Sequence, residues 1–186
     1  ASLDASLKNE RRIVLRAGGT YWITGGLGGV GLVLAQHLAR NAKAQIILTS
    51  RAHFPPAAEW KALLEASDTP EAIKRKIQCV QSIEEAGGKV LILEADAADP
   101  AAMQRAVSTA HAQYGPIHGI IHAAGVAGTG MMQTKSREQV LAVISPKMQG
   151  TEWIREYLVA KELDFVLLCS SISAVVPAFG LSDYAD

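Results

Sequence analysis

Gly18-Gly19-Thr20-Tyr21-Trp22-Ile23-Thr24-Gly25-Gly26-Leu27-Gly28-Gly29-Val30-Gly31 sets a short apolar run directly before five glycines in seven residues. Tyr21 to Ile23 suit a buried strand. Beyond the glycines, Val30, Val33, Leu34, His37 and Leu38 recur at the spacing that lays one apolar stripe along a helix. The order is therefore strand, tight turn, helix. Glycines in such a turn permit positive φ and let a ligand approach the backbone, while the free N–H groups and dipole of the new helix attract an anion. A dinucleotide pyrophosphate fits that site, and the bland alternative is a glycine-rich turn that binds nothing. A P-loop is disfavoured, because no Lys-Ser or Lys-Thr pair follows the last glycine.

Outward from this stretch, Ala44 to Thr49 reads as a second strand ending at Ser50-Arg51. About twenty residues past such a fingerprint, an NAD site places a carboxylate on the ribose 2′-hydroxyl. Here a hydroxyl pair and a guanidinium stand instead, Thr49, Ser50 and Arg51. A planar, permanently charged donor fork suits a 2′-phosphate, so the reading favours NADPH over NADH. The alternative is an arginine that merely decorates a strand end. Residues 52–87 are long for a connection between strands: Pro55-Pro56 turns, Glu59 to Glu65 forms a short helix, and Pro70 to Glu85 a second one packed through Ile73, Ile77, Val80 and Ile83. Lys74-Arg75-Lys76 reads as a solvated face of that helix, or as a dock for an acidic partner.

Gly87-Gly88 ends the helix, and Lys89 to Leu93 is the third strand. Asp96 follows it, placed either to touch an adenine or to cap a turn. Asp99-Pro100 is an N-cap followed by proline at the first helical position, with the helix running to about Gln113. Ile117 to His122 is the fourth strand, and Ala123-Ala124-Gly125 are small enough for a cofactor to lie against them. His118 and His122 lie four apart on a strand with no third ligand nearby, so no metal site is expected. From Ser136 the pattern is helical, broken at Pro146 beside Lys147 and then resumed. Asp164 to Cys169 is the fifth strand, ending in Ser170-Ser171-Ile172-Ser173. Strands alternating with helices predict an α/β fold, a Rossmann-like doubly wound parallel sheet in the order 3-2-1-4-5, with ligands at the strand C-terminal ends.

Composition narrows the classes further. In 186 residues, 18 basic side chains balance 18 acidic ones, which offers no global grip on nucleic acid or an anionic membrane. No apolar run approaches the roughly 20 residues of a membrane helix. Cys79 and Cys169, two cysteines in a neutral chain with no secretory leader, read as reduced core residues, and a cytoplasmic location is expected. Residues 1–17 are read as a linker or the edge of a preceding subdomain, and 18–186 as one NADPH-binding domain, truncated at its C-terminal end.

Taken together, Thr24-Gly25-Gly26-Leu27-Gly28-Gly29-Val30-Gly31, Ser50-Arg51, Asp96 with Ala97, His122-Ala123-Ala124-Gly125, Lys147, Ser171 and Tyr184 resemble the ketoreductase domain of modular polyketide synthases, a branch of the short-chain dehydrogenase/reductases. The resemblance implies NADPH-dependent reduction of a β-ketoacyl thioester on an acyl carrier protein, with other synthase domains as neighbours. It implies Tyr184 as proton donor, Lys147 as the ammonium that eases loss of that proton or relays it, and Ser171 as the hydrogen-bond donor to the substrate oxygen. The Thr24–Gly31 string, Ser50, Arg51, Asp96, Ala97 and His122–Gly125 fall to the cofactor. The family also carries an asparagine four residues after the tyrosine, whereas the sequence stops two residues after Tyr184. A chain ending there is expected to bind cofactor poorly and turn over little. One stereochemical subtype has Leu-Asp-Asp where Ala127-Gly128-Thr129 stand, and the other has Trp where Val176 stands. The handedness of the alcohol is left open, leaning away from the first. A stand-alone short-chain reductase and a non-catalytic reductase-like scaffold are the alternatives.

Overall fold

The computed structural model describes residues 15–126, 128, 132–160 and 163–176. Its elements are β1 (Thr20–Thr24), α1 (Gly29–Ala42), β2 (Gln45–Ser50), α2 (Trp60–Glu65), α3 (Glu71–Glu85), β3 (Lys89–Glu94), α4 (Pro100–Tyr114), β4 (Gly119–His122), α5 (Arg137–Ala160) and β5 (Phe165–Leu168). The five strands form one parallel sheet in the order β3-β2-β1-β4-β5, the order expected. Side chains of a strand alternate between faces, and each face here has its own core. Tyr21, Ile23, Ile46 and Leu48 pack with α1 and α3 through Leu32, Ala35, Leu38, Ile77, Val80 and Ile83. Trp22, Ile47 and Ile120 point the other way, against Met103, Val107, Trp153, Ile154 and Tyr157 of α4 and α5. Trp22 is fully buried, lies 5.4 Å from the Trp153 ring at a tilt of 60° and donates its indole N–H to Thr49 Oγ1 at 3.0 Å. Truncating it to Ala is expected to cost about 3–5 kcal/mol in a urea melt.

Helix boundaries follow local chemistry. Asp99 caps α4 as expected, its Oδ1 accepting from Ala101 N at 2.9 Å and Ala102 N at 3.1 Å. Gly87, at φ +91°, closes α3.

Three expectations need correction. The buried face of α1 is Gly31, Leu32, Ala35, Leu38, Ala39 and Ala42, while Val30 and Val33 are 59% and 64% exposed. The cause lies in the turn: a Cβ at Gly31 would stand 2.7 Å from Gly26 Cα, so the helix is pressed glycine-first onto the loop and its rotation brings alanines, not valines, to the sheet. Pro146 does not break α5, which runs through it. A mid-helix proline costs about 3 kcal/mol or more. Burial of Val143, Trp153, Ile154 and Tyr157 from the same helix offsets that cost. Neither cysteine is a core residue, since Cys79 is half-buried and Cys169 exposed.

Candidate functional site

The parallel register sets Thr24, Thr49 and His122 level at one edge of the sheet, and the residues that follow them line an open cleft of about 270 Å³. From the glycine turn come Gly25, Leu27 and Gly28; from the end of β2, Ser50, Arg51 and Ala52; from beyond β3, Ala95, Asp96 and Ala97; from beyond β4, Ala123 to Val126; and from the helices, Lys76 of α3 and Pro146 of α5. Five of these, Ala52, Lys76, Ala95, Val126 and Pro146, were not among the cofactor residues expected. Pro146 could have been found through its neighbour Lys147.

The turn is built for close backbone approach. Gly25 sits at φ +65°, and a Cβ there would lie 2.7 Å from Ala123 O and Ala124 Cα. Gly26 N donates to Thr49 O at 3.0 Å, and Gly28 N to Gly25 O at 2.9 Å, which locks the loop. Gly28 is the N-cap of α1 but has no side chain to cap it, and no acidic residue stands in the first helical turn. The first N–H groups of a helix have no intrahelical acceptor, so this end offers donors and positive potential to an anion.

Of the two roles considered for Asp96, the turn cap is the one formed. Its Oδ1 accepts from Ala98 N at 2.9 Å, capping the turn, and the residue also lines the cleft. Glu94, the residue paired with Ser50 across β2 and β3, lies 3.2 Å from His53 Nδ1 and is not among the cleft residues. The basic run of α3 splits into separate tasks. Lys74 Nζ donates to Ala66 O, Arg75 pairs with Glu71 at 3.8 Å, and Lys76 lines the cleft.

Beneath the cleft floor, Thr24 and His122 are buried rather than exposed to it. His122 Nε2 lies 3.0 Å from Pro146 O, which can only accept, so that nitrogen carries the proton and Nδ1 accepts from Thr24 Oγ1 at 2.6 Å. Gly150 leaves room for the ring, since a Cβ there would stand 2.6 Å from His122 Cε1. His122 thus ties the glycine turn to the stretch of α5 that carries Lys147, and its side chain is spent on that tie. Gly26, Gly29, Val30 and Gly31 likewise do not line the cleft.

Burial holds the His122 imidazole below its ordinary pKa, with the Pro146 bond a smaller opposing effect. The folded ring resists a proton that the unfolded chain accepts below about pH 6.5. The stability it contributes is therefore present above that pH and is lost as pH falls toward the folded value. His122→Ala is expected to lower stability by about 2–4 kcal/mol at pH 7, through the cavity and two unsatisfied partners. Its unfolding free energy should also fall less than that of the native chain between pH 7 and pH 5, as measured by urea melts.

Of the three catalytic residues expected, Lys147 lies within α5, one residue past Pro146. Ser171 follows β5, half-buried, its Oγ accepting from Ser173 N at 3.2 Å. Tyr184 lies outside the described residues, as do Ala127 and Thr129. His118, expected on the fourth strand, stands just before β4, accepts through Nδ1 from Thr20 N at 2.9 Å and is a structural fastener.

The KR domain family model matches residues 19–186, which takes in all five strands of the cleft-bearing sheet. The chain belongs to the KR domain family. It is 37% identical over 171 residues to the polyketide synthase PksM of Bacillus subtilis (strain 168), covering 92% of this chain and 4% of that protein. It is 34% identical over 177 residues to a 6-methylsalicylic acid synthase of Aspergillus terreus (strain NIH 2624 / FGSC A1156), covering 95% of this chain and 10% of that protein. The chain therefore spans a tenth or less of these relatives. Among solved structures, an N-terminal ketoreductase from the macrolactin assembly line superposes with a TM-score of 0.76 at 32% identity, over 91% of this chain and 31% of that one. This KR domain belongs to the short-chain dehydrogenase/reductases, whose members depend on a nicotinamide cofactor. Among the described residues, no helix is long and apolar enough to cross a membrane.

Proposed function

We propose that this KR domain reduces a β-ketoacyl thioester, carried by an acyl carrier protein, to the β-hydroxyacyl thioester with NADPH, within a cytoplasmic multidomain synthase. The observation that carries the reading is the cleft itself. An uncapped helix N-terminus behind a glycine turn faces the same space as Ser50 and Arg51, and no carboxylate ends β2. That donor set fits a pyrophosphate at the turn and a phosphorylated ribose at the β2 end. Gly25, Leu27 and Gly28 would hold the former, Ser50 and Arg51 the latter, and Ala123 to Gly125 the floor toward the reacting end.

NADPH supplies hydride when bound; the side chains manage the proton. Ketone reduction needs a proton at oxygen as hydride reaches carbon, and Tyr184 is the proposed donor. An unperturbed phenol has a pKa near 10, and the Lys147 ammonium would favour the phenolate left behind. The Ser171 hydroxyl would hold the substrate oxygen in line. The order of these residues along the chain, with Lys147 on α5 and Ser171 just past β5, agrees with the family resemblance.

Cofactor choice tests the reading. Arg51→Gln is expected to raise the Kd for NADP+ about ten- to hundredfold, the worth of a charge-assisted contact, while the Kd for NAD+ stays within about twofold. Calorimetric titration of the protein that carries these residues measures both. Equal affinity of the unaltered protein for the two nucleotides would remove the phosphorylated cofactor from the proposal.

A further inference from the structure

The insertion between β2 and β3 places a second cation beside Arg51. Lys76 sits on α3, next to Ile77, which is fully buried in the core, so its backbone is held by the packing of Ile77, Val80 and Ile83. It is half-buried, lines the cleft with Ser50, Arg51 and Asp96, and has no hydrogen bond or ion pair among the described residues. Its two basic neighbours are committed elsewhere, Lys74 to the Ala66 carbonyl and Arg75 to Glu71. A helix whose other lysine and arginine are engaged away from the cleft, while the third cation lines a ligand-sized space, is more than a solvated face.

Charge balance says what that cation is for. A phosphomonoester carries about −1.5 to −2 charges at neutral pH, more than one guanidinium neutralises. Asp96 adds a carboxylate to the same cleft, with Oδ1 already accepting from Ala98 N, which deepens the need for positive charge. We propose that Lys76 is a specificity-determining residue that holds the 2′-phosphate of the adenosine moiety together with Arg51, so that the phosphate lies between the end of β2 and helix α3. The inference rests on the cofactor assignment above and adds a residue from a different element. The two cations divide the work. The Arg51 fork fixes orientation, and the Lys76 ammonium supplies a compact point charge on a flexible stem.

The probe is adenosine 2′,5′-bisphosphate, with adenosine 5′-monophosphate as the ligand lacking the 2′ group, each titrated calorimetrically into the protein that carries these residues. Lys76→Gln is expected to weaken the bisphosphate about tenfold and leave the monophosphate within twofold, Lys76→Arg to retain most of the affinity, and Lys74→Gln to change neither. The bisphosphate affinity of the unaltered protein should also fall with added salt more steeply than that of Lys76→Gln. Unchanged bisphosphate binding in Lys76→Gln, or equal loss of both ligands, would overturn the role of Lys76. If Arg51→Gln alone abolishes discrimination between the ligands, the inference fails and the phosphorylated cofactor survives. If the unaltered protein does not discriminate, both fail.

Discussion

Tyr184→Phe, made in the protein that carries this chain, is expected to lower NADPH-dependent ketone reduction by about 10²- to 10⁴-fold, the usual worth of a positioned general acid. The Kd for NADP+ should stay within about twofold, because the phenol acts on the substrate oxygen and not on the adenosine half. Stopped-flow loss of nicotinamide absorbance, with a β-ketoacyl thioester, reads the first, and calorimetry the second. The pair of readouts separates catalysis from architecture. A residue that only packed would lower both together, and a domain retained as a scaffold would show no turnover to lose. Equal rates for Tyr184→Phe and the unaltered protein would remove the phenol from the mechanism.

The second large effect belongs to the turn. Gly25→Val forces a β-branched residue to φ +65°, with its Cβ 2.7 Å from the backbone of Ala123 and Ala124. Left-handed backbone at a non-glycine residue costs about 1–3 kcal/mol, and overpacking adds about 1–3 more. Against a total stability of about 5–15 kcal/mol, that is a large share. Where the variant folds, the displaced strand ends should close the cleft and abolish nucleotide binding. Gly29→Ala is the control. A Cβ there meets nothing within 4 Å, so stability should move by no more than about 0.5 kcal/mol. Urea melts of the two variants, read by tryptophan fluorescence, give the comparison.

These contrasts show why parts of the molecule were legible in its sequence. The sheet order follows from apolar strands alternating with helices, because a parallel crossover leaves little topological freedom. The cleft was legible for the same reason: Gly25, Ser50, Asp96 and Ala123 each end a strand or stand within two residues of its end, and parallel strands gather their C-terminal ends at one edge. What escaped were features decided by packing. Val30 and Val33 look like a core stripe by periodicity, yet the fit of Gly31 against Gly26 turns them outward. Pro146 looks like a helix end, yet burial of Val143 before it and of Trp153, Ile154 and Tyr157 beyond it carries α5 through, and His122 takes its carbonyl as a bridge to Thr24. Lys76 was the least visible. It comes from a helix between strands rather than from a strand end, and only the packing of α3 brings it to the cleft. His122 was assigned to the cofactor by its place in the motif; the structure gives its ring to the joint below.

The most direct measurement of the central claim is the transfer of hydride itself. The protein that carries these residues is incubated with a β-ketoacyl thioester and NADPH dideuterated at nicotinamide C4, and the hydroxyacyl product is weighed by mass spectrometry. The account predicts a β-hydroxyacyl thioester one mass unit heavier than that made with unlabelled NADPH, formed in step with loss of the cofactor and much more slowly with NADH. An intact ketone, a product without the label, or equal use of NADH would contradict it.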